Sequence, residues 1–139
     1  MTIEEAIVLA ANGHKGQKDK AGASYILHPL RLLTKMTTTD EMLAAVLHDI
    51  VEDTDYTLDD LKSLGCPDNV LEAINLVTNK DNEDYMEKMA RIKTNSIARK
   101  VKLADLEDNM NIARLPAVTS KDINRLDKYI LAMNYLKFV

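Results

Sequence analysis

One cysteine, no tryptophan and a single phenylalanine set the first limits on this 139-residue chain. The lone Cys66 leaves neither an internal disulfide nor a cysteine-rich zinc site. Aromatic residues amount to 4%, while Leu, Ile, Val, Ala and Met carry most of the 46% apolar content. That balance suits packed helices better than a sheet. No apolar run approaches the roughly 20 residues needed to cross a bilayer. The opening Met1-Thr2-Ile3-Glu4-Glu5 puts acids where a secretory leader is basic, so a soluble, cytoplasmic protein is expected. A net charge of −4 argues against a nucleic-acid polymer as partner, which calls for a basic stripe. A small polyanion stays open, because a local basic patch or a bound cation reverses the sign inside a cleft. Nothing looks like a repeat, a low-complexity tract or a linker, and the length predicts one domain over 1–139 around a single core.

Helical periodicity is the dominant pattern. Residues 2–13 place Ile3, Ala6, Ile7 and Ala10 on one stripe, with Thr2 and Glu5 spaced as a capping box. The stretch 14–27, with Gly16, Gly22, Lys15, Lys18 and Lys20, reads as a loop, after which His28-Pro29 opens a short helix. A helix is expected from Thr39 or Asp40 to about Val51, and another from Thr57 with Gly65 placed to end it. Further helices are expected over 68–78, 82–92, 95–113 and 120–137. With no period-two alternation, the predicted class is all-α.

The segment His48-Asp49-Ile50-Val51-Glu52-Asp53 puts one imidazole and three carboxylates into six residues. His48 and Glu52 share a helix face, as do Asp49 and Asp53. Adjacent His and Asp can bind one ion where a helix ends or bends, and nearby carboxylates can then orient or deprotonate water. The plainer alternative is a solvated acidic helix end carrying one core histidine. His28 follows the Gly- and Lys-rich loop about where a second imidazole enters the same cleft. Asp105 interrupts an apolar helical face, where an acid is rarely buried unless paired or bound to metal. Asn109 lies one turn further on. Such a mixed nitrogen and oxygen set suits Mn²⁺, Fe²⁺ or another octahedral divalent ion better than structural zinc. Lys15, Lys18 and Lys20 read either as a phosphate-receiving lip or as solvated loop charge. Tyr25 reads as a base-stacking ring or a loop anchor. His14 is expected to be structural, Tyr85 to pack in the core, and Met86, Met89 and Met110 to fill it.

The ordered set His28, His48-Asp49 and Asp105 resembles the metal signature of the HD superfamily of phosphohydrolases. The wording around it, Gly16-Gln17, Gly22, Tyr25-Ile26-Leu27-His28-Pro29, His48 to Thr54, Val101 to Asp105 and Asn109, resembles the hydrolase domain of RelA/SpoT-type alarmone enzymes. The likeness runs from about residue 4 to residue 113 and is nearest to the short stand-alone versions, with 120–137 expected as a C-terminal packing helix. It implies a compact HD-domain helical bundle in which His28, His48, Asp49 and Asp105 hold one divalent cation, Mn²⁺ in the family. It implies that Glu52 and Asp53 position and activate the attacking water, while Asn109, with Lys18, Lys20 and Tyr25 nearby, contacts a phosphorylated nucleotide. The implied reaction removes a 3′-pyrophosphate from guanosine 3′,5′-bis(diphosphate). Such proteins are often labelled GTP pyrophosphokinase after longer relatives, and hydrolase helices filling 139 residues leave no room for synthesis.

The wording also departs from the alarmone enzymes. Asp19 stands where they carry an Arg associated with base recognition. Leu106-Glu107-Asp108 replaces a basic residue, Leu and His, and Asn111 replaces a basic residue. Two rivals therefore stand beside the leading reading: an HD phosphohydrolase for another nucleotide or phosphate ester, and a non-catalytic nucleotide-binding module.

Overall fold

The computed structural model describes residues 1–138. Its helices are α1 (Ile3–Gly13), α2 (Leu27–Thr34), α3 (Thr39–Leu47), α4 (Ile50–Asp53), α5 (Leu58–Ser63), α6 (Asp68–Val77), α7 (Tyr85–Lys93), α8 (Ser96–Asn109) and α9 (Ser120–Lys137), with a 3₁₀ turn at Ile112–Arg114. The only β pairing among the described residues is an isolated bridge between Lys18 and Ser24. The class is all-α. Among the same residues no helix is long and apolar enough to cross a membrane.

Local chemistry starts most of these helices. Thr2 with Glu5, Thr38 with Glu41 and Thr57 with Asp60 form reciprocal capping boxes at α1, α3 and α5. Gly65 ends α5 with φ 93°, a conformation costly for any residue with a Cβ. Helix α3 is buried on every side from Leu43 to Leu47 and packs against α1, α2, α6 and α8. A helix apolar all round belongs at the centre of a bundle, and that is its place here. Helices α2, α3 and α8 touch one another pairwise, so their facing sides meet at one point.

Three boundaries differ from expectation. The helix expected to run from 39 to 51 breaks at His48-Asp49, giving α3 and the single turn α4. The cause lies in the ring of His48, whose Nδ1–H donates to the Ala45 carbonyl at 2.7 Å. That oxygen would otherwise carry the hydrogen-bond ladder onward to Asp49. Helix α7 starts at Tyr85, three residues late, because the Asp84 carboxylate accepts from the N–H groups of Met86 and Glu87. Helix α8 ends at Asn109, and the chain turns through Asn111, whose side chain accepts from the Ala113 N–H. Met89 is core, whereas Met86 lies on the exposed side of α7 at its first turn.

Leu47 is fully buried in α3 immediately before His48. Leu47→Ala is expected to cost about 2–5 kcal/mol, read by urea unfolding; a cost well under 1 kcal/mol would contradict a close-packed centre.

Candidate metal centre and adjoining cavities

Helix α2 brings His28, the α3–α4 break brings His48 and Asp49, and α8 brings Asp105 to the point where these helices meet. One ligand atom from each of His28, His48 and Asp49 lies within 4.8 Å of the others. His48 Nε2 is 3.0 Å from Asp49 Oδ2, and His28 Nε2 is 3.9 Å from the same oxygen. Asp105 Oδ1 approaches the two imidazoles at 2.9 Å (His28) and 3.6 Å (His48). Exposure is 5% for each histidine and 8% for Asp105. A buried charge needs a partner, so this cluster demands one.

Hydrogen bonding fixes what the cluster can accept. His48 Nδ1 faces the Ala45 carbonyl, and His28 Nδ1 lies 2.6 Å from Asp108 Oδ2. A carbonyl oxygen only accepts, so a neutral His48 ring carries its proton on Nδ1 and a lone pair on Nε2, whereas His28 has a carboxylate at each ring nitrogen. That His48 lone pair faces the carboxylate oxygens of Asp49 and Asp105. His48 Nε2 is buried with no hydrogen-bond partner. Such an orphaned nitrogen beside two acids is relieved by a cation, and two imidazoles with two carboxylates suit an octahedral divalent ion. The residues fit the group.

The electrostatics agree. Burial opposes the charged form of His48, but Asp49 and Asp105 outweigh it and raise its pKa well above the usual value. His28 behaves alike, with burial overcome by hydrogen bonds to Asp105 and Asp108. Burial works against the Asp49 carboxylate too, yet His48 brings it down to about 2. Lys102 donates to Asp105 at 2.8 Å, and despite burial Asp105 stays ionised well below the ordinary carboxylate range. The field that holds protons on the imidazoles also attracts a metal cation.

A cavity of ≈ 320 Å³ opens on this cluster, and Glu52, Lys88, Lys102 and Lys128 line it with His48 and Asp49. Glu52 Oε1 accepts from the Asn79 N–H at 2.9 Å. Asp53 is outside that lining. Gln17 donates to Asp53 at 3.4 Å and itself accepts from His14 Nδ1 at 3.0 Å, which gives buried His14 a structural part. Burial and then Asp49 push the Asp53 carboxyl up. Tyr25 donates its hydroxyl to Asp49 and so anchors the loop, while its ring also lines the cavity. Asn109 donates to Asp105 at 3.2 Å. Tyr85, expected in the core, lines the cavity with a buried hydroxyl that has no partner and with Lys128 4.0 Å over its ring.

Lys18 and Lys20 sit elsewhere, in a second cavity of ≈ 380 Å³ with Arg114 and Arg125. Tyr25, Asn109 and Tyr129 line both cavities and join them. Lys15 is exposed and lines neither. Sequence reasoning missed Lys88, Lys128, Arg125, Tyr129 and Asp108. Asp108 alone left a local trace, three residues after Asp105 on the same face of α8; the others depend on how α7 and α9 pack.

No protein-family model matches the chain. It is 31% identical to the Guanosine-3′,5′-bis(diphosphate) 3′-pyrophosphohydrolase MESH1 of Drosophila melanogaster, covering 91% of this chain and 78% of that protein. A GTP pyrophosphokinase of Streptomyces coelicolor is 44% identical over 64 residues, 43% of this chain, and the chain spans 8% of its length. A solved structure described as "A metazoan ortholog of SpoT hydrolyzes ppGpp and plays a role in starvation responses" superposes with TM-score 0.78 and 25% identity, over 98% of this chain and 85% of that one. An all-helical bundle with two histidines and two aspartates meeting at a helix break defines an HD-type fold. The chain belongs to the family of HD-type hydrolases related to RelA and SpoT that includes MESH1.

Burial, then Lys102, brings the Lys88 ammonium down to about 8, against about 10.4 for a free lysine. The unfolded chain binds more protons between those values, so this group makes stability rise from about pH 8 to 10.5. Lys88→Met is expected to raise Tm at pH 7 by a few degrees and to remove that part of the rise. Melting curves from pH 7 to 10 that superimpose for parent and variant would contradict it.

Proposed function

We propose that this chain is a divalent-cation-dependent phosphohydrolase of the cytoplasm that removes the 3′-pyrophosphate from guanosine 3′,5′-bis(diphosphate). The observation that carries this reading is the orphaned His48 Nε2, set with His28, Asp49 and Asp105 beside a cavity that also holds Glu52. We assign those four residues as ligands of one cation, with Mn²⁺ the ion, and the whole chain as a single hydrolase domain. The cation supplies Lewis acidity toward a phosphoryl oxygen and toward water. The activity named for MESH1 and for the metazoan SpoT ortholog supports the substrate class.

The chain's own residues divide the work. Glu52, steered by the Asn79 N–H, accepts a proton from the attacking water. Asp53, held by Gln17 outside the cavity wall, bears on that water only through the neighbouring Asp49. Water oxygen bonds to the 3′-phosphorus as the bond to the ribose 3′-oxygen breaks; that oxygen takes a proton from solvent to become a hydroxyl, and pyrophosphate departs. Lys88, Lys102 and Lys128 line the wall that receives the phosphoryl charge. Tyr25, Asn109 and Tyr129 take the nucleoside between the cavities, and Lys18, Lys20, Arg114 and Arg125 take its 5′-phosphates. A small nucleotide charged at both ends suits this pair of lysine- and arginine-bearing cavities better than a nucleic-acid polymer.

One observation favours a second substrate. Asp19, where alarmone enzymes carry Arg, lines the second cavity, its carboxylate accepting from the Ala23 N–H at 2.9 Å. Without that Arg the base position is open to a second purine, since an acid there accepts from guanine through N1–H and N2–H₂ and from adenine through N6–H₂.

With Mn²⁺, purified protein is expected to release pyrophosphate from guanosine 3′,5′-bis(diphosphate), and Glu52→Gln is expected to bind Mn²⁺ while kcat falls about 10²–10⁴-fold. Turnover of the adenosine analogue alone would select the second substrate. No turnover of any 3′-pyrophosphate would overturn the assignment.

A further inference from the structure

Asp108 has no part in the reaction above, yet it is the most deeply buried carboxylate of the centre, 4% exposed. It lies one turn beyond Asp105 on α8, so a single helix face meets both nitrogens of the His28 ring. Asp105 Oδ1 is 2.9 Å from Nε2, and Asp108 Oδ2 is 2.6 Å from Nδ1. A neutral imidazole has one N–H for these two acids, and its placement decides whether Nε2 can act as a ligand.

The Asp108 carboxylate is held on three sides. Arg31 donates from Nε to Oδ1 at 2.7 Å and from Nη2 to Oδ2 at 3.0 Å, a two-point clamp that stops the carboxylate turning. Arg114 donates to the Asp108 carbonyl at 2.8 Å and approaches its carboxylate at 3.4 Å. Burial disfavours the charged carboxylate, but His28 and Arg31 hold it far below the usual range. The two arginines offset the desolvation of an acid placed here, and the acid in return faces His28 as a pure acceptor.

We propose that Asp108, clamped by Arg31 and Arg114, is the positioning residue that fixes His28 as the Nδ1–H tautomer and turns its Nε2 lone pair toward Asp49 and Asp105. The inference rests on the cation-centre reading for its purpose but not for its geometry. It also accounts for one departure of the chain from alarmone wording, since Asp108 occupies the position where those enzymes carry His. Outer carboxylates of this kind typically change metal affinity 10–100-fold when removed.

The test uses the full chain as parent, Asp108→Ala and Asp108→Asn, with calorimetric titration of Mn²⁺ alone and with ¹H–¹⁵N spectra of the histidine rings in metal-free protein, at a pH where His28 is neutral. Asp108→Ala is expected to bind Mn²⁺ about 10–100-fold more weakly, and its His28 is expected to populate the Nε2–H tautomer that the parent lacks. Asp108→Asn keeps the volume, so it carries the test if the Ala variant does not fold; its amide cannot satisfy Arg31 and His28 together, and the Nε2–H tautomer is expected there as well. Parent-like tautomer populations in the folded variants, or parent-like Mn²⁺ affinity in folded Asp108→Ala, would overturn the inference. A parent that binds no Mn²⁺ but shows the Nδ1–H tautomer, lost in the variants, would sink the cation reading and leave the positioning role standing.

Discussion

Two imidazoles whose Nε2 atoms face two buried carboxylates are the arrangement around which this molecule is organised. Without a proton or a cation between them, ring nitrogen and carboxylate repel, and taking the acids out of water adds a further penalty. The surrounding fold compensates locally: Lys102 on Asp105, Tyr25 on Asp49, Arg31 and Arg114 on Asp108. Arg31 ties α2 to α8 and Tyr25 ties the loop before α2 to the α3–α4 break, while Lys102 and Arg114 act within α8 and the turn after it. Stability and chemistry share those contacts. The central helix α3 shows the same economy, since the His48 ring that ends it is also the ring aimed at the cluster.

Charge is sorted around that point. The chain is acidic as a whole, yet lysines and arginines from α7, α8, α9, the 3₁₀ turn and the loop after α1 line the two cavities. Basic side chains gathered in the cavities of an acidic protein direct small anions to one place. Helix α9, expected only to pack, contributes Lys128 and Tyr129 to the metal-side cavity and Arg125 to the other. The buried, partnerless hydroxyl of Tyr85 and the low-lying ammonium of Lys88 are strains a purely structural core would shed, and both sit where a phosphorylated ligand would meet them.

Much of the fold was legible because its signals are local. Thr2–Glu5 and Thr57–Asp60 are spaced to satisfy the first N–H groups of a helix whatever surrounds them. Gly65 marks a stop because only a residue without Cβ adopts φ 93° at little cost. The break at His48 was harder to read, because it depends on a ring taking a carbonyl three residues back, and the apolar periodicity runs straight through it. His28, His48, Asp49 and Asp105 could be picked out as unusual residue types in unusual positions. Lys18 and Lys20 could be picked out as a basic loop, but not as the wall of a second cavity.

By itself the sequence determined the helical class, the starts of the capped helices and the residue types available to bind a cation, since propensity, capping and coordination chemistry act over a few neighbours. Tertiary structure alone decided that His28 and Asp105, 77 positions apart, lie 2.9 Å from each other. It also decided that Glu52 enters the cavity while Asp53 does not, and that the spare nitrogen of His28 ends on Asp108. Those outcomes depend on how α2, α3 and α8 pack, and no single segment carries that information.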